Sequence, residues 1–326
     1  MARFPTTRMR RLRRTSGVRR LFSEVVADKS KLVMPIFVQD GIKSMAPIES
    51  MPRNYRYPLR NLPQLSAQIE GLGIHAVLLF GLPSKKDAVG SGAYAKNGIV
   101  QQATRTIKEN SGLTVMTDLC MCEYTSHGQC GIMKGGNVDN DLTLAKYSQI
   151  AVSQAEAGAD VIAPSGMMDG QVARIRASLD ENGYCDMMIM AYSAKMSSSF
   201  YGPFRDAAAS APKYGDRKSY QMNYSNAKEA MRELALDAAE GADVLMVKPA
   251  LTNLDILHRA KMRFELPIAA YNVSGEYSAL NAAAEHGWLN YEEAATEVLT
   301  SIFRAGADIV ITYHAMEFAE WSRRGE

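Results

Sequence analysis

Glu156-Ala-Gly-Ala-Asp160 runs into Val161-Ile-Ala-Pro-Ser165, Glu240-Gly-Ala-Asp243 into Val244-Leu-Met-Val-Lys-Pro249, and Arg304-Ala-Gly-Ala-Asp308 into Ile309-Val-Ile-Thr-Tyr313. The same pattern is written three times: the end of a helix, a glycine that stops it, and a short apolar strand. Runs of this kind, rich in Val, Ile, Leu and Met, recur at 32–38, 75–80, 114–119, 187–192 and 267–271, which brings the number of expected buried strands to eight. Helix-like stretches lie between them at 60–71, 99–110, 143–157, 170–181, 226–240, 252–263, 277–286 and 291–305. Strand and helix therefore alternate as parallel βαβ units require. Eight such units point to an α/β protein with a (β/α)₈ TIM barrel, and an open doubly wound sheet is the alternative with the same alternation.

A chain of 326 residues with 47% hydrophobic content can bury one enlarged barrel or two ordinary domains, so composition alone does not choose. No run approaches 18 apolar residues and no secretory pattern opens the chain, so we expect a soluble, cytoplasmic protein with no membrane partner. The net charge of +2 hides an asymmetry. Residues 1–20 carry eight arginines and no acid, which leaves 29 basic against 35 acidic groups in the remainder, a net of −6. An acid-free arginine arm suits a transit peptide or a nucleic-acid patch, yet opposite charges on arm and body favour wrapping around a neighbouring subunit. We therefore expect residues 1–30 to be an N-terminal arm for subunit contacts, residues 31–326 the barrel, and no nucleic acid as partner.

In a barrel, chemistry sits at the C-terminal ends of the strands. Asp118 and Cys120 follow the third expected strand, Ser165 the fourth, Tyr192 and Lys195 the fifth, Lys248 the sixth, Tyr271 and Ser274 the seventh, and Tyr313 the eighth. Residues 197–224 form the longest stretch without apolar periodicity, and a loop of that length at this face reads as an active-site lid.

Cys120, Cys122 and Cys130 fall within eleven residues, a spacing that favours a metal over disulfides. Zinc held by three thiolates keeps a fourth position for water or substrate, as a catalytic ion needs. His127 could instead close the site and make it structural, and three buried reduced cysteines are a further reading. Cys185 stands apart and reads as a core residue. Lys195 and Lys248 each follow an apolar run, where an ammonium is held only if its pKa falls. Two lysines in one cavity disfavour each other's protonation, and a neutral amine can attack a ketone. Taken singly, either could be a rim residue paired with an acid. Arg205, Arg217 and Lys218 lie in the expected lid, where a guanidinium suits a carboxylate-bearing substrate.

The segments TDLCMCEYTSHGQCG, APSGMMDGQV, YSAKMSSSFYGPFR, GDRKSYQM, LMVKPA and YNVSGEY, with the PIFV opening, resemble the porphobilinogen synthase (5-aminolevulinate dehydratase) family, zinc-using branch, over residues 5–321. The resemblance implies a hydro-lyase that condenses two 5-aminolevulinate molecules through lysine Schiff bases, an early step of tetrapyrrole and heme biosynthesis. By it, Lys248 is similar to the lysine holding the substrate that becomes the propionate side, and Lys195 to its partner. Ser274 and Tyr313 resemble the carboxylate clamp of the first substrate, and Arg205, Arg217 and Gln221 that of the second. Tyr201 and Phe204 resemble pocket walls, and Asp118, Ser165, Tyr192 and Tyr271 further site residues. Cys120, Cys122 and Cys130 resemble the zinc site. Glu233 stands where some members use a glutamate toward an allosteric magnesium ion. The arm resembles one that supports a homo-octamer. The family often has an acid after the serine of APS, where this chain has Gly166. The rival functions are a class I Schiff-base aldolase, which predicts a phosphate-binding glycine loop after the seventh or eighth strand, and a non-catalytic zinc-binding protein.

Overall fold

The structure is a computed structural model that describes residues 3–324; the first two residues of the expected arm and the last two of the expected barrel domain lie outside them. Eight parallel strands form the barrel: β1 (Leu32–Gln39), β2 (Ala76–Leu82), β3 (Thr114–Leu119), β4 (Val161–Pro164), β5 (Met188–Lys195), β6 (Val244–Lys248), β7 (Ile268–Asn272) and β8 (Ile309–Thr312). Each pairs with the next in chain order, and Leu32↔Val310 and Val33↔Ile311 join β1 to β8. That last pairing closes the sheet and excludes the open doubly wound arrangement. The outer ring is α1 (Leu62–Gly71), α2 (Ile99–Asn110), α3 (Asn140–Glu156), α4 (Gln171–Glu181), α5 (Ala227–Ala239), α6 (Leu254–Arg263), α7 (Ser274–Glu285), α8 (Tyr291–Ala305) and α9 (Ala315–Arg324).

The repeated sequence has a repeated structure. Gly158, Gly241 and Gly306 adopt φ of +92°, +99° and +121°, conformations that end α3, α5 and α8 at little cost only without a Cβ. The aspartate that follows reaches sideways to the preceding strand. Asp160 accepts from Val115 N at 2.8 Å, Asp243 from Ile189 N at 2.7 Å, and Asp308 from Ile268 N at 2.8 Å. A cation completes each unit: Lys108 on Asp160, Arg176 on Asp243 and Lys261 on Asp308. The motif thus satisfies the preceding strand's backbone at the end of the barrel away from the chemistry.

Two apolar layers result. Side chains such as Ile36, Val77, Val115 and Leu245 face the helices, while Phe37, Leu78, Phe80, Met116, Met190, Met246 and Ile311 fill the barrel. The interior cluster continues upward into Tyr192, Tyr271 and Tyr313, so the packed core becomes the floor of a cavity at the strands' C-terminal ends.

The described residues ahead of β1 carry only short helical turns, Met9–Arg13, Ser16–Leu21 and Lys29–Lys31, with no buried residue. Phe4, Met9, Leu21, Phe22 and Val26 are exposed there. Residues 197–224 are irregular apart from a single 3-10 turn and the short helix Gly202–Ala207. Cys185 is exposed, against the expectation of a core residue, because it falls in the polar turn between α4 and β5. No helix among the described residues is long and apolar enough to cross a membrane.

Candidate active site

Lys195 and Lys248 end adjacent strands and face each other in register, after a bulge between Leu245 and Val247. Neighbouring strands lie about 4.8 Å apart, so this register delivers both side chains to one place. Both are about 6% exposed. The Lys195 amine donates to the Ser165 carbonyl at 2.5 Å. The Lys248 amine is surrounded by rings instead, 4.0 Å from the Tyr271 centroid, 4.9 Å from Tyr192 and 5.4 Å from both Tyr201 and Phe204. Burial first, and the Lys195 charge second, lower its pKa to about 7. A substantial share of this amine is therefore neutral at neutral pH.

Asp118 is buried beside Ser165, whose hydroxyl donates to it at 3.1 Å. Its other oxygen has no hydrogen-bond partner among the described residues. Burial, then the neighbouring Glu123, raises this carboxyl to about 7, against the pull of both lysines.

The three thiols lie within 4.8 Å of one another and are buried, with Cys120 and Cys122 sulfurs 3.5 Å apart. Tetrahedral zinc with bonds of about 2.3 Å places its sulfurs roughly 3.8 Å apart, so the trio fits a thiophilic ion. Hydrogen bonds from the Cys120 and Cys122 thiols draw the Cys130 thiol well below its ordinary value, the direction that favours a thiolate ligand. Glu123 adds a buried carboxylate with an unpartnered oxygen, and Asp118, Cys120 and Glu123 form an overlapping trio of ligand atoms. His127 does not close the site. Its Nδ1 accepts from Gln129 N at 3.1 Å and its Nε2 faces the Ala88 carbonyl at 3.2 Å.

One cavity joins these groups. It is lined by Asp118, Cys122, Ser165, Lys195, Tyr201, Phe204, Arg217, Gln221, Lys248, Tyr271, Ser274 and Tyr313, and also by Phe80, Glu123 and Val273. Tyr192 lies under the lysines, and Cys120 and Cys130 stand behind Cys122. Arg205 does not line the cavity, but its Nε is buried and unpartnered among the described residues, as are Arg217 Nε and both amide atoms of Gln221. Buried polar atoms without partners are costly, and here they mark where a polar ligand would be received. Ser274 Oγ accepts from Phe204 N at 2.9 Å, and the Tyr271 and Tyr313 hydroxyls meet at 3.0 Å. Glu233 is elsewhere, in a second cavity with Asp169, Glu229 and Asp237, and Gln221 lines both. Its carboxyl is raised by burial, then by Asp169, Glu229 and Glu240.

Glu123 was missed by the sequence reading, although it directly follows Cys122. A lone glutamate beside two cysteines carries no spacing signal, and only burial shows that it faces the cavity. Gly166 also acquires a reason. A Cβ there would sit 1.6 Å from the Tyr147 hydroxyl, which donates to the Cys130 carbonyl at 2.7 Å. The room that an acid would need is taken by a tyrosine that buttresses a cysteine.

Paired lysines at the mouth of a closed (β/α)₈ barrel, beside a three-sulfur pocket fit for a soft metal ion, define an enzyme of the amine-and-metal type rather than a binding module. The delta-aminolevulinic acid dehydratase family model matches residues 6–321, and the chain belongs to that family. It is 53% identical to the delta-aminolevulinic acid dehydratase of Archaeoglobus fulgidus over 98% of this chain and 99% of that one. It is 49% identical to that of Bacillus subtilis over 96% and 97%. Its fold matches the Toxoplasma gondii delta-aminolevulinic acid dehydratase (porphobilinogen synthase) solved with its product porphobilinogen, at a TM-score of 0.94 and 42% identity, covering 97% of this chain and 91% of that one.

Proposed function

We propose that this chain condenses two 5-aminolevulinate molecules into porphobilinogen, with loss of two waters, in the early part of tetrapyrrole biosynthesis. The observation that carries the reading is the in-register lysine pair sharing one cavity with Cys122, in a chain similar along its whole length to a protein solved with that product.

Lys248, held in aromatic rings with its pKa lowered to about 7, attacks the ketone of one substrate, and the carbonyl oxygen departs as the first water. Lys195 engages the second substrate in the same way, releasing the second water; as the C–N and C–C bonds of the pyrrole form, each lysine amine is expelled from its carbon and the enzyme is regenerated. Ser274 and Tyr313 receive the carboxylate of the first substrate; Arg217, Gln221 and Arg205 receive that of the second, through donors that are otherwise unpartnered. Holding two flexible acids in one relative orientation supplies much of the rate advantage. The lid residues Tyr201 and Phe204 keep water from the Lys248 imine. Cys120, Cys122 and Cys130 would hold zinc, which supplies a Lewis acid beside the second substrate when bound.

Glu233 and its acidic neighbours behind the lid would take a magnesium ion as an allosteric effector. The arginine-rich arm, with its exposed apolar residues, supports a homo-octamer of a cytoplasmic enzyme.

An aldolase reading loses its phosphate site. The N-terminus of α7, after β7, is capped by the Glu276 carboxylate on Val273 N, and a Cβ at Gly275 would meet the Phe200 backbone at 2.5 Å. After β8 comes Tyr313-His314, with no glycine. The test is pyrrole formation from 5-aminolevulinate, with borohydride trapping of the imine. Lys248→Met should reduce turnover at least a thousandfold and abolish trapping at that site, and a chelator should silence the wild type until zinc is restored. Turnover persisting in Lys248→Met would sink the reading.

A further inference from the structure

The cysteine loop and the lid meet through a residue to which the chemistry above gives no part. Gln129 is buried one position before Cys130. Its Nε2 donates to the Tyr214 carbonyl at 2.9 Å and the Asp216 carbonyl at 3.3 Å, and its Oε1 accepts from the Tyr220 hydroxyl at 2.6 Å. That hydroxyl in turn accepts from Cys130 N at 3.4 Å. One amide side chain thus holds three lid residues and touches the metal-facing turn through one of them.

The surrounding contacts repeat the arrangement. Lys213 N donates to the His127 carbonyl at 3.0 Å, and Arg217 donates to the Gly128 carbonyl at 2.8 Å. Gly128 has φ of +73°, and a Cβ there would stand 2.4 Å from the Ala211 carbonyl oxygen. The turn 127–130 is therefore a socket shaped for lid backbone. The same turn carries Cys130 to Cys120 and Cys122. An ion bound by the three sulfurs fixes that turn against the end of β3; without it the turn is held by weaker contacts.

We propose that Gln129 is a positioning residue that couples metal occupancy of the three-cysteine site to closure of the lid. The proposal rests on the metal reading of that site. Coupling between two sites is reciprocal, so a metal that favours the docked lid is itself held more tightly when the lid docks. Gln129 thereby makes the second substrate's clamp, which sits on the lid at Arg217 and Gln221, form more readily around a loaded site.

Full-length protein is stripped with a chelator and reloaded with zinc. Brief trypsin cleavage after Lys213, Arg217 and Lys218 is followed by mass spectrometry, and zinc affinity is measured by competition with a chromogenic chelator. In the wild type, zinc should slow lid cleavage on the order of tenfold. In Gln129→Met, of similar length without donors, and in Tyr220→Phe, which keeps the ring, that protection should largely vanish and zinc affinity should fall by a similar factor. Thermal unfolding reports whether each variant is folded, and Tyr220→Phe carries the test alone if Gln129→Met is not. Equal lid cleavage with and without zinc in a wild type that binds the ion overturns the coupling alone, as does full protection in the folded variants. A wild type that binds no zinc overturns the metal reading and the coupling with it.

Discussion

Lys248 is the residue on which pH should act. Only the neutral amine attacks a ketone, and its pKa lies near 7 because burial and then Lys195 lower it. With the protonated form dominant below that value, kcat/KM should rise with pH up to about 7, close to tenfold per unit on the acid limb, and then level. Lys195→Met removes the neighbouring charge, so its residual single-site imine formation should show the same limb displaced to higher pH. A limb that stays in place would mean that the amines do not sense each other. Because the unfolded lysine keeps its proton to about 10.5, this group makes native stability rise with pH between about 7 and 10.5. His127 marks the opposite case. With both ring nitrogens engaged by backbone groups, His127→Ala should retain one zinc per site by metal analysis. Chemistry-bearing types such as lysine after an apolar run and clustered cysteine were readable from the chain. Glu123 and the outward turn of His127 were not, since neither burial nor side-chain direction has a sequence signature at a single position.

Among elements, the eight strands and the eight helices between them were legible to within a few residues because most apolar runs follow a glycine stop, whereas α9, after the last strand, was not read from the sequence. The fifth strand is the exception. Expected to end at Tyr192, it continues to Lys195, since Ser193 is buried within a paired strand and polarity alone misplaces the boundary. The role of the repeated aspartates was hidden for a related reason: each serves a strand residue 40 to 54 positions earlier. The contact between α3 and the β4–α4 turn gives a prediction at this scale. Gly166→Ala drives a methyl into the Tyr147 hydroxyl, and overpacking of this kind costs about 1–3 kcal/mol. Because Tyr147 supports the Cys130 carbonyl, the variant should also release zinc more readily to a chelator. A loss of thermal stability with unchanged zinc retention would separate Tyr147 from the metal site.

At the level of the whole molecule, closure of the barrel by β1 and β8 is what gathers groups 130 or more residues apart into one cavity. The N-terminal arm makes the other prediction. It exposes Phe4, Met9, Leu21, Phe22 and Val26 among its arginines, surface that a subunit interface would cover. Deleting residues 1–30 should therefore lower the mass seen by light scattering below that of the assembly formed by the full-length chain, while the barrel keeps its far-ultraviolet dichroism. An unchanged mass would remove the arm from the assembly.

Local order was determined by the chain itself: glycine stops, apolar periods and the placing of lysine and cysteine just after strands follow from backbone sterics and burial over a few neighbouring residues. The alternation of eight such units restricted the architecture to two sheets, one open and one closed. The tertiary structure closed the sheet as the sequence had favoured, and it alone turned His127 away from the three sulfurs, brought Glu123 into the cavity and set Gln129 between residues 214–220 and the cysteines. Those outcomes depend on contacts between segments distant along the chain, whose geometry comes from packing rather than from any local preference.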